Sequence, residues 1–218
     1  MARMASLGQA KTLGGIGSIL ALLSGLLFWV PYSAGIGLLI VGLVLMLVAV
    51  KNIADTTGDQ PIFNNMMYSV ILAIIGPVIA AVVVFAAAAS FLSTFRSFTP
   101  GTTTLPSGFL AVIGIIILAG VILWVCILIS TIFLKKSYDA IATKLRVDIF
   151  RTTGLLFLIG AATLIVLVGV LILFIAAILQ IVAFFSIPEQ VSPQMPPQQV
   201  WGPPTPPAPL PPSMTPTQ

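Results

Sequence analysis

The sequence predicts an all-α fold: a polytopic transmembrane bundle of about six helices, followed by a disordered, proline-rich C-terminal tail. Hydrophobic residues account for 59% of the 218 positions and charged residues for only 6%, whereas roughly 45 to 50% of a soluble domain is apolar. The apolar residues also form uncharged runs of the length that a membrane helix needs, about 20 residues. We therefore expect a transmembrane domain at residues 1–187 and the tail at residues 188–218.

Two apolar runs come first, at residues 13–30 and 33–50, and only Pro31 and Tyr32 separate them. Proline favours a tight turn at this point. Basic residues precede the first run, as they do in a secretory signal peptide. The second run follows at once, however, so we interpret the pair as two membrane spans.

The third and fourth runs, at residues 66–92 and 108–134, are longer than a straight span requires, which predicts tilted helices. Gly76 and Pro77 lie near the middle of the third run, where a kink is expected. The segment between the two runs is rich in Thr, Pro and Gly, and it predicts a loop.

A basic segment at residues 135–151 follows the fourth run. Apolar residues recur in it at three- and four-residue spacing: Tyr138, Ile141, Leu145 and Ile149. This pattern fits either a short helix that lies in the membrane interface or a solvated loop helix. Both interpretations place Asp139 in a loop, outside the membrane spans.

The last apolar stretch, residues 152–187, contains no charge. As one helix it would measure about 54 Å, against roughly 30 Å for the hydrocarbon core of a bilayer. We therefore predict a hairpin of two spans, at residues 153–168 and 170–187, that turns near Gly169. One long tilted helix, giving five spans in total, is the alternative.

The basic residues predict the orientation of the chain. With the N-terminus in the cytoplasm, eight of the nine Lys and Arg residues fall on the cytoplasmic side and only Arg96 falls outside, as the positive-inside rule requires. We expect a multi-pass protein of the cell membrane with a cytoplasmic N-terminus. Six spans would return the C-terminus to the cytoplasm, whereas five would place it outside.

The lipid bilayer is the partner that the composition requires. Gly17, Ala21 and Gly25 recur at every fourth position, a pattern that lets helices pack closely within one chain or between two copies of it. The tail is either a polyproline docking ligand for a protein partner or a solvated spacer. Nucleic acid is not expected, because the net charge of +4 comes from Lys and Arg residues beside the membrane spans.

Catalytic chemistry is not expected of this sequence. It contains no His and a single Cys, Cys126. The commonest general base and transition-metal ligand is therefore missing, and thiolates cannot assemble a metal site. We predict no enzyme activity, no catalytic residue, no metal ligand and no cofactor.

Polar side chains inside the spans are interpreted as hydrogen-bonding groups between or within helices. They are Ser24, Ser69, Ser130, Thr131, Thr163 and Gln180. A dry core of small residues would favour a structural or interaction protein. A polar cavity lined by Gln180, Thr163 and Ser130 would instead favour a facilitator or transporter of a neutral or apolar solute.

Several short motifs occur along the chain in a fixed order. They are Ala10-Lys11-Thr12-Leu13-Gly14-Gly15-Ile16-Gly17, Ile62-Phe63-Asn64-Asn65, Ser137-Tyr138-Asp139, Phe150-Arg151-Thr152 and Ala183-Phe184-Phe185-Ser186. Together they resemble domain-of-unknown-function family 996, multi-pass membrane proteins chiefly from archaea and some bacteria. The resemblance covers about residues 5–187 and implies a helical membrane protein. It transfers no activity and no catalytic residue.

Overall fold

A computed structural model of the protein describes residues 7–27, 32–96 and 107–189. These residues form six α-helices and include no β-strand, so the all-α prediction is confirmed. The helices are α1 (Leu7–Leu26), α2 (Tyr32–Thr57), α3 (Gln60–Arg96), α4 (Ser107–Leu145), α5 (Ile149–Ala162) and α6 (Val168–Phe185). The turn predicted at Pro31 and the tail beyond Glu189 lie outside the described residues.

Five helices are long and apolar enough to cross a membrane. Their qualifying segments are Gly35–Thr57, Gln60–Leu92, Phe109–Leu145, Ile149–Val166 and Val168–Phe185. The described part of α1 is not among them. Helices are the expected structure for such segments, because a bilayer offers the backbone no hydrogen-bonding partners and each helix satisfies its own. The predicted transmembrane helical bundle is confirmed, with five qualifying helices and α1 packed beside them.

Consecutive helices run antiparallel, as in an up-and-down bundle. Between α3 and α4, the rings of Tyr68 and Phe133 lie 5.6 Å apart near one end, and those of Phe91 and Phe109 lie 6.3 Å apart near the other. α3 continues through Pro77 without interruption.

Helices α1 and α2 touch through two glycines. A Cβ built on Gly17 would lie 2.7 Å from the backbone oxygen of Gly42, and the reverse distance is also 2.7 Å. A Cβ on Gly42 would also lie 2.9 Å from the backbone nitrogen of Ala21. Gly17 and Ala21 of the small-residue stripe therefore pack within the chain.

The last apolar stretch forms a hairpin, so the single tilted helix offered as the alternative is wrong. The chain reverses through a 3₁₀ turn at Thr163–Val166 and through Leu167, whose φ of 62° is left-handed. The sequence predicted the reversal near Gly169, and the structure places it a few residues earlier in the chain. Gly169 has a different role: a Cβ there would collide with the carbonyl oxygen of Gly160, so this glycine allows α5 and α6 to touch.

The basic segment is not a separate helix. Its first part continues α4 as far as Leu145, Arg146 turns the chain with a φ of 57°, and α5 begins at Ile149. Tyr138 and Ile141 are fully buried, because the apolar stripe faces the neighbouring helices instead of the membrane interface. Asp139 accordingly lies in α4 and pairs with Lys135 one turn earlier.

The buried core is concentrated at one end of the bundle, which we call the packed end. It forms where α1, α3 and α5 begin and where α2, α4 and α6 finish. Its largest fully buried side chains include Ile53, Ile62, Tyr138, Ile141, Phe150 and Phe184. Leu7 and Ile187 belong to the same cluster, so the first and last helices meet there.

Away from the packed end, α3 and α4 extend beyond the other helices. They contain 37 and 39 residues, or roughly 56 and 58 Å at 1.5 Å per residue, whereas the 18 residues of α6 measure about 27 Å. The far part of this α3–α4 hairpin exposes large apolar side chains: Val82 at 65%, Phe85 at 79% and Leu110 at 73%. Such a surface suits contact with lipid.

Replacing Gly169 by alanine is expected to destabilise the α5–α6 hairpin by about 1–3 kcal/mol. The new methyl group would meet the backbone of Gly160 and Leu164, and backbone atoms cannot rotate away. Titration with SDS in mild-detergent micelles measures the loss. Gly120→Ala is the matched control, because no atom of the described residues lies within 4 Å of its Cβ position, and it should be neutral or slightly stabilising. Equal stability of the two variants would contradict the backbone contact.

Candidate functional site

Three buried aromatic rings join the helices of the packed end. Tyr138 of α4 and Phe150 of α5 lie 5.4 Å apart with their planes at 75°. Phe150 and Phe184 of α6 lie 5.2 Å apart at 88°. Edge-to-face contacts of this kind contribute roughly 0.5–1.5 kcal/mol each beyond the area that they bury. We call these three residues the aromatic ladder.

The ladder reaches a fourth helix through a glycine. A Cβ built on Gly14 of α1 would collide with the ring of Phe184, so α1 approaches closely because Gly14 has no side chain. On α5, Gly154 plays a similar role: its Cβ would lie 3.1 Å from the Cα of Lys135 in α4. The ladder and these glycines together hold α1, α4, α5 and α6 at the packed end.

A small polar cluster lies next to the ladder. The amide nitrogen Nε2 of Gln180 donates to Sδ of Met46 at 2.7 Å. The hydroxyl of Ser18 donates to the Gly14 carbonyl at 2.7 Å and is 3.5 Å from the same sulfur. The three side chains are almost fully buried, with Ser18 at 3%, Met46 at 4% and Gln180 at 7% exposure. They connect α1, α2 and α6.

The hydroxyl of Tyr138 adds a further polar group to this cluster. Gln180 is close enough to influence it. Nevertheless, no group in the described part of the chain meets the geometry of a hydrogen bond with this hydroxyl. The side chain of Gln180 is the neighbouring polar group that is placed to partner this hydroxyl.

A groove of about 460 Å³ begins at this cluster and runs between α1 and α6, with one side chain from α5. Its residues are Ser18, Ala21, Leu22, Gly25, Leu26, Phe157, Val170, Leu173, Phe174, Ala177 and Gln180. Ser18 and Gln180 form its polar end, and the other residues are apolar. The volume lies in the range of small-molecule sites, roughly 300–1,000 Å³.

The polar residues that we singled out from the sequence do not form one cavity. Ser69 and Ser130 bond to each other across α3 and α4 at 3.2 Å. Thr163 donates to the Ile159 carbonyl of the preceding helix, α5, at 2.8 Å. Of the three residues expected to line a polar cavity, only Gln180 lies in the groove. Most of the polar side chains therefore serve local hydrogen bonding.

The sequence did not predict every residue of the site. Met46 is an apolar residue in an apolar run, so nothing marked it as the acceptor for Gln180. Ser137 donates to the Ile62 carbonyl of α3 at 2.8 Å while fully buried. Its position directly before Tyr138, which belongs to the apolar stripe, could have indicated that Ser137 is buried.

Charged side chains at the packed end form local pairs. Nζ of Lys144 lies 3.2 Å from Oδ2 of Asp59, which ties the α2–α3 turn to the end of α4. Asp55 accepts a hydrogen bond from Gln60 at 3.2 Å. Within residues 7–27, 32–96 and 107–189, no group of three His, Cys, Asp or Glu side chains has the spacing of a metal site.

The fold defines a multi-pass α-helical membrane protein. More narrowly, the chain belongs to the family described as Protein of unknown function (DUF996), whose model matches residues 38–178, so the resemblance seen in the motifs is confirmed. The chain is also 40% identical over 189 residues to Uncharacterized protein MJ1644 of Methanocaldococcus jannaschii, covering 85% of this chain and 95% of that protein. No solved structure matches the chain significantly.

Replacing Phe184 by alanine should destabilise the bundle by roughly 3 kcal/mol. This is the low end of the range for a buried phenylalanine, because in lipid the loss comes from the cavity and broken contacts and not from exposure to water. Phe85→Ala is the matched control, since Phe85 is 79% exposed, and it should change little. Unfolding in SDS compares the two, and similar losses would contradict the role of the aromatic ladder.

Proposed function

We propose that the chain is a non-enzymatic interaction protein of the cell membrane whose packed end faces the cytoplasm. The observation that carries this proposal is the segregation of basic residues along the bundle. Seven of the described ones lie at or next to the packed end: Lys11, Lys51, Lys135, Lys136, Lys144, Arg146 and Arg151. Arg96, the last residue of α3, is the one described basic residue at the opposite end.

This distribution supports a cytoplasmic packed end. Basic residues beside membrane helices remain on the cytoplasmic side, and the anionic inner surface of the membrane attracts each of them by about 1 kcal/mol. Leu7 and Ile187 share the packed end, so one orientation brings both ends of the helical domain to the cytoplasm. In this arrangement α1 crosses the membrane alongside α2 and α6, which gives six crossings.

The packed end also supports a role in binding a partner. Lys51, Lys136, Lys144, Arg146 and Arg151 are exposed, and the helices that carry them are fixed by the buried core beneath. A rigid basic surface of this kind suits a cytoplasmic protein with an acidic face. Binding of this kind requires no covalent chemistry, so it fits a non-enzymatic role.

Facilitated movement of a neutral or apolar solute is the second candidate, and the groove between α1 and α6 favours it. Its lining residues carry no charge, as such a solute requires. The groove nevertheless ends at Ser18 and Gln180, and the packed end lies beyond them. This geometry supports holding a molecule better than passing one across the membrane.

Topology is tested with single cysteines in a Cys126→Ser background. Cysteines at Thr56 and Glu189, both exposed and next to the packed end, should react with an impermeant thiol reagent only in inside-out vesicles. A cysteine at Thr103, in the segment between α3 and α4, is the control and should react only in right-side-out vesicles. Opposite labelling of Thr56 and Glu189 would exclude four crossings by α3–α6, and external labelling of both would exclude the proposed orientation.

The interaction role is tested by photocrosslinking in cells. A benzophenone side chain at Thr143, which is exposed at the packed end, should give a discrete protein adduct. The same group at Ile117, which is 61% exposed in the apolar part of α4, should react with lipid only. If packed-end probes at Thr143 and Lys51 both give no protein adduct, the chain is not an interaction protein of this kind.

A further inference from the structure

We propose that the groove between α1 and α6 binds an uncharged single-chain amphiphile, a long-chain alcohol, which enters from the bilayer. The hydrocarbon chain would lie along the apolar part of the groove, and its hydroxyl would bond to Gln180 at the polar end. The proposal goes beyond the interaction role of the packed end and does not depend on it.

The apolar part of the groove is open because its residues are small. Among the residues that the structure describes, no atom lies within 4 Å of the position that a Cβ of Gly25 would occupy. Ala21 of α1 and Ala177 of α6 also line the groove. In the small-residue stripe, Gly17 and Ala21 are explained by their contact with Gly42 of α2, but Gly25 contacts nothing comparable. The space beside Gly25 is therefore available to a hydrocarbon chain.

The polar end identifies the head group. Gln180 is only 7% exposed, and its contact with Met46 uses one of the four hydrogen bonds that an amide side chain can make. The fully buried hydroxyl of Tyr138 lies within hydrogen-bonding reach of Gln180, on the side of the cluster away from the residues that line the groove. A ligand hydroxyl can both donate and accept, so it would complete a chain of hydrogen bonds through Gln180 to Tyr138.

The lining also excludes charged head groups. None of the described residues that line the groove is acidic or basic, so a carboxylate or phosphate would be buried there without a counter-charge, at a large cost. An alcohol avoids this cost. Val170 and Phe174, which form one side of the groove, are 54% and 41% exposed, which leaves a lateral entrance from the lipid.

The test uses the full-length protein in mild-detergent micelles and a hexadecanol probe that carries a diazirine in its chain. Adducts should map to α1 and α6 near Gly25 and Ala177. Unlabelled hexadecanol should compete at least about tenfold better than hexadecane or hexadecanoate. Equal competition by hexadecane would overturn the proposal, because the hydroxyl would then contribute nothing.

Two variants and one control separate the groove from the general lipid surface. Gly25→Leu should fill the groove and reduce labelling about tenfold or more, while Gly120→Leu, also without atoms within 4 Å of its Cβ position, should leave labelling unchanged. Gln180→Leu should weaken competition by hexadecanol roughly fivefold to tenfold. If Gln180→Leu unfolds, as judged by SDS titration, the Gly25→Leu result decides.

Native mass spectrometry of the same samples identifies any other occupant. A bound mass matching the probe, present in the native chain and lost in Gly25→Leu, supports the proposal. Dimers of the native chain that Gly25→Leu dissociates would show a second copy in the groove and would overturn it. Labelling that is equal in the Gly25→Leu and Gly120→Leu variants would overturn it as well.

Discussion

The packed end depends on one contact: the ring of Phe184 against Gly14, at the end of the aromatic ladder. In a bilayer, apolar side chains gain little by leaving lipid for a helix interface, so helices associate through close packing and hydrogen bonds. The ladder provides such packing between α4, α5 and α6, and Gly14 extends it to α1. Helix α1 also packs against α2 through Gly17 and Gly42. The contact of Phe184 with Gly14 therefore joins the α1–α2 hairpin to the α5–α6 hairpin.

Outside the packed end, separate contacts join α3 to α4. α3 and α4 are fastened by the Ser69–Ser130 pair and by Gly76, whose Cβ would lie 2.7 Å from that of Cys126. Beyond this region the two helices expose apolar side chains. The resulting gradient, from a densely packed end to a loosely packed one, explains why the groove opens where α1 and α6 leave the aromatic ladder.

Much of the fold could be predicted from sequence, because a bilayer leaves an uncharged run little choice but to form a helix. The hairpin after Arg151 followed from length alone. The turn itself could not be placed, since Leu167 adopts its left-handed φ in a position that carries no turn residue. The role of Tyr138 was also hidden, because helical spacing of apolar residues does not distinguish a stripe facing the interface from one facing other helices. Gln180 was visible as a polar residue, but the groove beside it is a tertiary property.

The position of the groove relative to the aromatic ladder bears on what this family can do. A transporter needs two arrangements of its helices around a central site, and each requires interfaces that repack. In the aromatic ladder, edge-to-face rings pack directly against each other and against a glycine. This close packing leaves the helices no room to slide, which disfavours a second arrangement of the helices at the packed end. The groove lies on the open side of this fixed region. A fixed packed end beside an open groove is consistent with the two proposed roles, in which the packed end presents a basic surface to a partner and the groove holds an amphiphile.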